Sequence, residues 1–299
     1  MALVLLVSAA DHAGLARSSR GGSNVTALAI ATLDPHTIYV GTASGGLFKS
    51  TDSGMSWRRA DAGLPRRPVG ALDVDPENSN TVYAGVARAA VLKSQPDLFK
   101  SVDGGKSWGQ IRSPNLYVGI VSVAVDPKRP ATIYAGTDAG CSACDLTGLF
   151  KTRDGGRSWK PSSAYLEGSA SLVVIDPSNA QHLYAKLDGG LEASENGGKA
   201  WRLTFRQPHG VVYALALDPR SPQALYIGTD DGVVKTEDAG HSWQRANNGL
   251  PKGPTASALA IEPDRRHAIL AAVSSTTRNG VFRSTDGGHT WKQLPWHVR

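Results

Sequence analysis

The chain has 299 residues, including 33 Gly and 17 Pro, and a formal charge of +6. So many turn residues exclude a helical bundle, and 40% hydrophobic content excludes a disordered chain. Two cysteines cannot form a disulfide framework, and no apolar run is long enough to span a membrane as a helix.

Residues 1–24 come first. Leu3 to Ser8 is an apolar run, and Gly14-Leu15-Ala16 has the small residues of a cleavage site, as in a secretory signal. No Lys or Arg precedes the run, and Asp11-His12 interrupts it. The rival reading aligns Gly14 to Gly22 with Gly280 to Gly288, which makes this segment part of an incomplete repeat.

From residue 25 a unit of four short strands, A to D, recurs six times up to residue 294. In unit one, Thr37-Ile38-Tyr39-Val40-Gly41-Thr42 is followed by Gly46-Leu47-Phe48-Lys49-Ser50 and a turn that ends at Trp57. Unit two runs from Val69 through Asp75-Pro76, Thr81 to Gly85 and Leu98 to Ser101, and ends in Asp103-Gly104-Gly105 and Trp108. Asp73 breaks its column, which holds Ala29, Ala124, Val174, Ala216 and Ala260 in the other units. A buried carboxylate is costly unless paired, so Asp73 is either tied to neighbouring amides or functional.

Unit three carries Cys141-Ser142-Ala143-Cys144 in a long B–C loop. A zinc site needs two more ligands and a redox motif needs a βαβ setting. A local disulfide is favoured over free thiols, and it fits an exported protein. Unit four has Asn196 where the others have Asp. Unit five places Tyr213 where Gly70, Val121, Ser171 and Ser257 are smaller. Unit six ends at Trp291.

The recurring turn is Ser/Thr-x-Asp-x-Gly-x-Ser/Thr-Trp, with Asp52, Asp103, Asp154, Asp238 and Asp286 at the acidic position. Its tryptophans are Trp57, Trp108, Trp159, Trp201, Trp243 and Trp291, spaced 51, 51, 42, 42 and 48 residues apart. The carboxylate can accept the turn's own amides, and Gly supplies positive φ. An amide at Asn196 can do the same, so these acids are structural. Four short strands per 42 to 51 residues is the size of a propeller blade.

The turn resembles the Asp-box, or BNR, repeat of sialidases, sortilin-type receptors, xyloglucan hydrolases and photosystem II assembly-factor-like propellers. The resemblance implies an all-β propeller of four-stranded antiparallel blades in one domain. Seven blades with one incomplete are expected, with six as the alternative. It also implies that B–C and D–A connections share the ligand face, opposite the Asp turns. That face would hold Arg66, Arg67, Arg88, Lys93, Arg112, Tyr117, Tyr165, Glu167, Arg206, His209, Lys252 and Arg278, beside Tyr213.

Two functions follow as expectations. The first is a non-catalytic binding or assembly propeller, monomeric, extracellular or periplasmic, without cofactor or metal. It would hold an acidic protein, peptide or polysaccharide on this basic face. Nucleic acid is disfavoured, since no reading module is present. The second is a carbohydrate-active enzyme, a glycoside hydrolase or polysaccharide lyase, using Asp73 with the B–C acids Asp138, Asp188 and Asp230. Thr137-Asp138 and Thr229-Asp230 resemble the context of a catalytic Asp in xyloglucan hydrolases. The Arg-Ile-Pro signature of sialidases is missing, and Arg66-Arg67-Pro68 stands in another setting.

Overall fold

The structure is a computed structural model. It describes residues 6–7, 25–86, 97–112, 119–137, 148–162, 169–206, 211–261, 268–278 and 280–294. Contacts divide the chain into two compact units, Ser8–Ile175 and Asp176–Arg299 with Met1–Val7.

Strand β1 (Leu6–Val7) precedes six antiparallel sheets. Blade one is β2 (Val25–Ile30), β3 (Ile38–Thr42), β4 (Leu47–Ser50) and β5 (Arg58–Arg59). Blade two is β6 (Val69–Val74), β7 (Val82–Val86), β8 (Leu98–Ser101) and β9 (Gly109–Gln110). Blade three is β10 (Ile120–Val125), β11 (Ile133–Thr137), β12 (Leu149–Thr152) and β13 (Lys160–Pro161). Blade four is β14 (Leu172–Ile175), β15 (Leu183–Leu187), β16 (Gly190–Ser194) and β17 (Arg202–Arg206). Blade five is β18 (Val212–Leu217), β19 (Leu225–Thr229), β20 (Gly232–Thr236) and β21 (Gln244–Arg245). Blade six is β22 (Thr255–Ile261), β23 (Ile269–Ser274), β24 (Gly280–Ser284) and β25 (Lys292–Gln293).

The fold is thus an all-β propeller of four-stranded blades. The described residues hold six blades, the smaller of the two expected counts. Of residues 1–24, only Leu6 and Val7 are described; they pair with Leu215 and Ala214 on β18. The proposed partial blade otherwise lies outside the described residues.

Sequence columns become contacts between blades. Each inner strand with a described register bulges near its start, as at Val69/Ala71 and Val212/Ala214. The Gly of strand B is needed because the next inner strand's carbonyl approaches it. A Cβ on Gly136 would stand 1.9 Å from Ala170 O, and one on Gly228 2.3 Å from Ala256 O. Trp108 donates its Nε1–H to Ala60 O at 2.7 Å and is buried against blade one. Trp159 is buried with blade-two residues Tyr83 and Leu98, and Trp291 with blade-five residues Ala214 and Tyr226. Burying such a side chain is worth roughly 1.5–3 kcal/mol or more.

The aspartate turn repeats atom by atom. Asp103 accepts Ser101 Oγ at 2.8 Å, Ser107 N at 2.9 Å and Ser107 Oγ at 2.5 Å. Asp238 does the same with Thr236 and Ser242 at 2.6, 2.8 and 2.6 Å. Asn196 accepts from Ser194 Oγ and Ala200 N at 3.1 and 2.8 Å. The residue after the acid is left-handed, with φ 71° at Gly104 but also 60° at Ser53 and 58° at Ala239. These bonds hold the acids ionised. Hydrogen bonds from Ser56 bring the Asp52 carboxyl down to about 2, and those from Ser107 do so for Asp103.

Candidate functional site

The turns set the two ends of each blade apart. Ser53 N–H donates to His36 O, Gly104 to Asn80 O, Gly155 to Ala131 O and Ala239 to Gln223 O. Each bond joins a C–D turn to the A–B turn of the same blade. The B–C and D–A connections therefore share the opposite end, where the sequence places the candidate ligand residues.

Several of those residues, Arg88, Lys93, Tyr117, Asp138, Cys141, Cys144, Tyr165, Glu167 and His209, lie outside the described residues. Arg66, Arg112, Arg206, Lys252 and Arg278 are described and exposed. Arg67 is half-buried and donates to the buried Asp97 at 2.6 Å. Tyr213 is half-buried at the bulge of β18.

The described acids at this end are engaged. Asp61 pairs with Arg59, Asp97 with Arg67, and Asp231 with Arg245. Asp230 accepts the Val211 amide at 2.9 Å, so it pins the D–A connection to the B–C turn. Asp188 is exposed and also engaged. By contrast, no described hydrogen bond or ion pair involves the side chains of Arg66, Arg112, Arg206, Lys252 or Arg278. This asymmetry marks the described residues of the loop ends.

Asp73 lies further along β6 and bridges two blades. Its Oδ1 accepts Val74 N at 2.8 Å, and its Oδ2 accepts Val125 N on β10 at 2.7 Å. Desolvation pushes its carboxyl up to about 7, against the pull of those two amides, and Asp75 adds to the rise. A carboxyl titrating near neutrality has the acidity of a general acid. Both of its oxygens, however, are already bonded to backbone.

Sequence reasoning missed Asp97, which no motif marks. It also missed Lys186, which stands in β15 where four of the other five strands have Gly41, Gly85, Gly136 and Gly228 and blade six has Ala272; the broken column was the available signal. Among the described residues no cluster of His, Cys, Asp or Glu could hold a metal ion.

No protein-family model matches the chain. It is 29% identical over 133 residues to a probable oligoxyloglucan-reducing end-specific xyloglucanase of Neosartorya fischeri, covering 41% of this chain and 15% of that protein. It is also 29% identical over 143 residues to vacuolar protein sorting/targeting protein 10 of Colletotrichum graminicola, covering 46% and 8%. The chain thus spans only a small part of these relatives. Among solved structures, it is similar to the GH74 xyloglucanase of Xanthomonas campestris (TM-score 0.75, 19% identity, 92% of this chain and 46% of that one). It is likewise similar to YCF48 bound to D1 peptide (TM-score 0.65, 16% identity, 97% and 84%). At these identities the likeness establishes the propeller fold.

Proposed function

We propose that this chain is a non-catalytic binding propeller whose loop ends hold an acidic protein, peptide or polysaccharide. The observation that carries this reading is the asymmetry of charge. The described loop-end acids are engaged, while Arg66 and Arg112 in one unit and Arg206, Lys252 and Arg278 in the other have no described partner. Exposed cations speed and bias encounter with anions. The near-complete overlap with YCF48, a propeller solved with a peptide, supports the same reading. An exported protein is part of the proposal, supported by Cys141-Ser142-Ala143-Cys144 in the sequence, which suits a local disulfide; a monomer is proposed with it. The proposal takes residues 1–299 as one propeller domain and residues 1–24 as a partial blade, on the strength of the alignment of Gly14 to Gly22 with Gly280 to Gly288.

The test uses a fluorescent polyglutamate peptide and a pectate fragment as probes. The double variants Arg66→Glu/Arg112→Glu and Arg206→Glu/Lys252→Glu should each weaken binding about tenfold or more at low salt. Their melting temperatures should match wild type. Unchanged binding in both variants would sink the proposal.

One observation favours the enzyme reading, namely the near-neutral titration of Asp73. Glycoside hydrolysis also needs a second carboxyl facing the same bond. A hydrolysis and lyase screen over neutral and acidic glycans decides between the two. Turnover that vanishes in folded Asp73→Ala would establish the enzyme and overturn the binding-only reading.

A further inference from the structure

The large exposed apolar side chains among the described residues are not scattered. They are Leu33, Met55, Trp57 and Val102, at 64, 85, 44 and 67% exposure. All four stand at the A–B/C–D end of blades one and two, away from the loop end that carries the exposed cations Arg66 and Arg112. Leu33 is in the A–B turn of blade one, Met55 and Trp57 are in its aspartate turn, and Val102 is in that of blade two.

The columns show that this is a departure from the repeat. The position of Leu33 is Glu77, Lys128, Ser178 and Arg220 in blades two to five. The position of Met55 is Lys106, Arg157, Lys199, His241 and His289 in the other blades. Hairpin tips that are polar elsewhere are apolar here. Fixed contacts hold these tips together. Ser53 N–H donates to His36 O at 3.0 Å, and His36 Nδ1 meets Ser53 Oγ at 2.7 Å, which ties the Leu33 turn to the Met55 turn. Lys49 Nζ donates to Gly104 O at 3.1 Å, which brings the Val102 turn against blade one.

Charge changes sign along this end. Blades one and two carry Asp34, Asp52, Asp75, Glu77 and Asp103 against Lys49, Arg58 and Lys106. Blade three carries Lys128, Arg129, Arg153 and Arg157 at its exposed turns, against Asp126 and Asp154. Its two turns are joined by the bond from Gly155 N–H to Ala131 O at 2.9 Å. An anionic membrane fits poorly, because the acids of blades one and two would face it. An apolar anchor beside a cationic rim fits a polypeptide.

We propose that this end is a second docking surface, taking a protein segment with apolar anchor residues followed by acidic ones. The anchor would sit over Met55, Leu33 and Val102, and the acidic flank would run toward Arg153 and Arg157. The proposal is independent of the loop-end reading.

The probe is a fluorescein-labelled peptide with two leucines followed by a run of aspartates. One control replaces the leucines by serines, and the other replaces the aspartates by lysines. Anisotropy should show saturable binding of the first and about tenfold or weaker binding of both controls. Met55→Ser and Arg153→Glu should each weaken the first peptide about tenfold, with unchanged melting temperature. All titrations are made in the Arg66→Glu/Arg112→Glu/Arg206→Glu/Lys252→Glu background, where loop-end binding of acidic peptides is weakened, and the Met55 and Arg153 effects should persist there, which separates this surface from the loop end. No saturable binding, equal binding of the three peptides, or stronger Met55-dependent binding to phosphatidylglycerol vesicles would overturn the proposal.

Discussion

Asp73→Asn probes how a buried charge trades against hydrogen bonds. The carboxylate receives two backbone amides, Val74 and Val125, and both favour ionisation. Desolvation outweighs them, and the folded carboxyl titrates at about 7 against 3.8 for a free one. The native state therefore keeps its proton to higher pH than the unfolded chain. Stability falls as pH rises from about 4 to about 7 and then levels off. That difference corresponds to ~4 kcal/mol in full, of which ~2–3 kcal/mol falls between about pH 5 and about pH 8. Asp73 keeps partial access to solvent, so this is an upper bound. Asn cannot ionise, and it resembles the protonated acid in offering one acceptor oxygen. Urea melts should place the Asp73→Asn variant and the wild-type protein within ~1 kcal/mol of each other near pH 5. Near pH 8 the variant should be the more stable by ~2 kcal/mol. Identical pH dependence in both proteins would refute the assignment of this titration to Asp73.

The other expected outcomes concern the repeat itself. Gly136→Ala puts a Cβ 1.9 Å from Ala170 O and 2.2 Å from Ser122 Oγ, so it should cost about 1–3 kcal/mol or more in chemical melts. Trp159→Ala empties a fully buried slot between blades two and three and should cost about 3–5 kcal/mol. Ala239→Gly relieves a left-handed residue with φ 58° and should raise stability by a few tenths to about 1 kcal/mol, visible as a higher melting temperature. The Asp52 and Asp103 carboxyls are held at about 2, so their contribution is complete above about pH 4 and is lost as pH falls toward 2. Acid titration of Asp52→Asn/Asp103→Asn should show a shallower loss of stability over that range than wild type.

The blade was legible in the sequence because its determinants are local. An Asp with a Ser or Thr two residues before it and another four residues after it closes its own turn. Tyr39 pairs with Lys49, and Gly41 with Leu47, within one hairpin. The Gly of strand B was visible only as a column, and its reason is the carbonyl of the following blade's inner strand. The site was legible less fully. Asp73 announced itself by breaking a column of small apolar residues, but its partner, the amide of Val125, lies 52 residues away. Arg67 read as a free cation because Asp97, thirty residues on, carries no motif.

The sequence by itself determined the repeat, the strand count per unit, the turn chemistry and the net positive charge, since each depends on neighbours along the chain. Tertiary structure decided which charges meet. Arg67 is neutralised by Asp97 while Arg66, its neighbour in sequence, faces solvent. It also decided that Trp57 is exposed while Trp159 is buried, although both close the same motif. The physical reason is that burial and pairing depend on what the neighbouring blade supplies, and that is set by folding rather than by the motif.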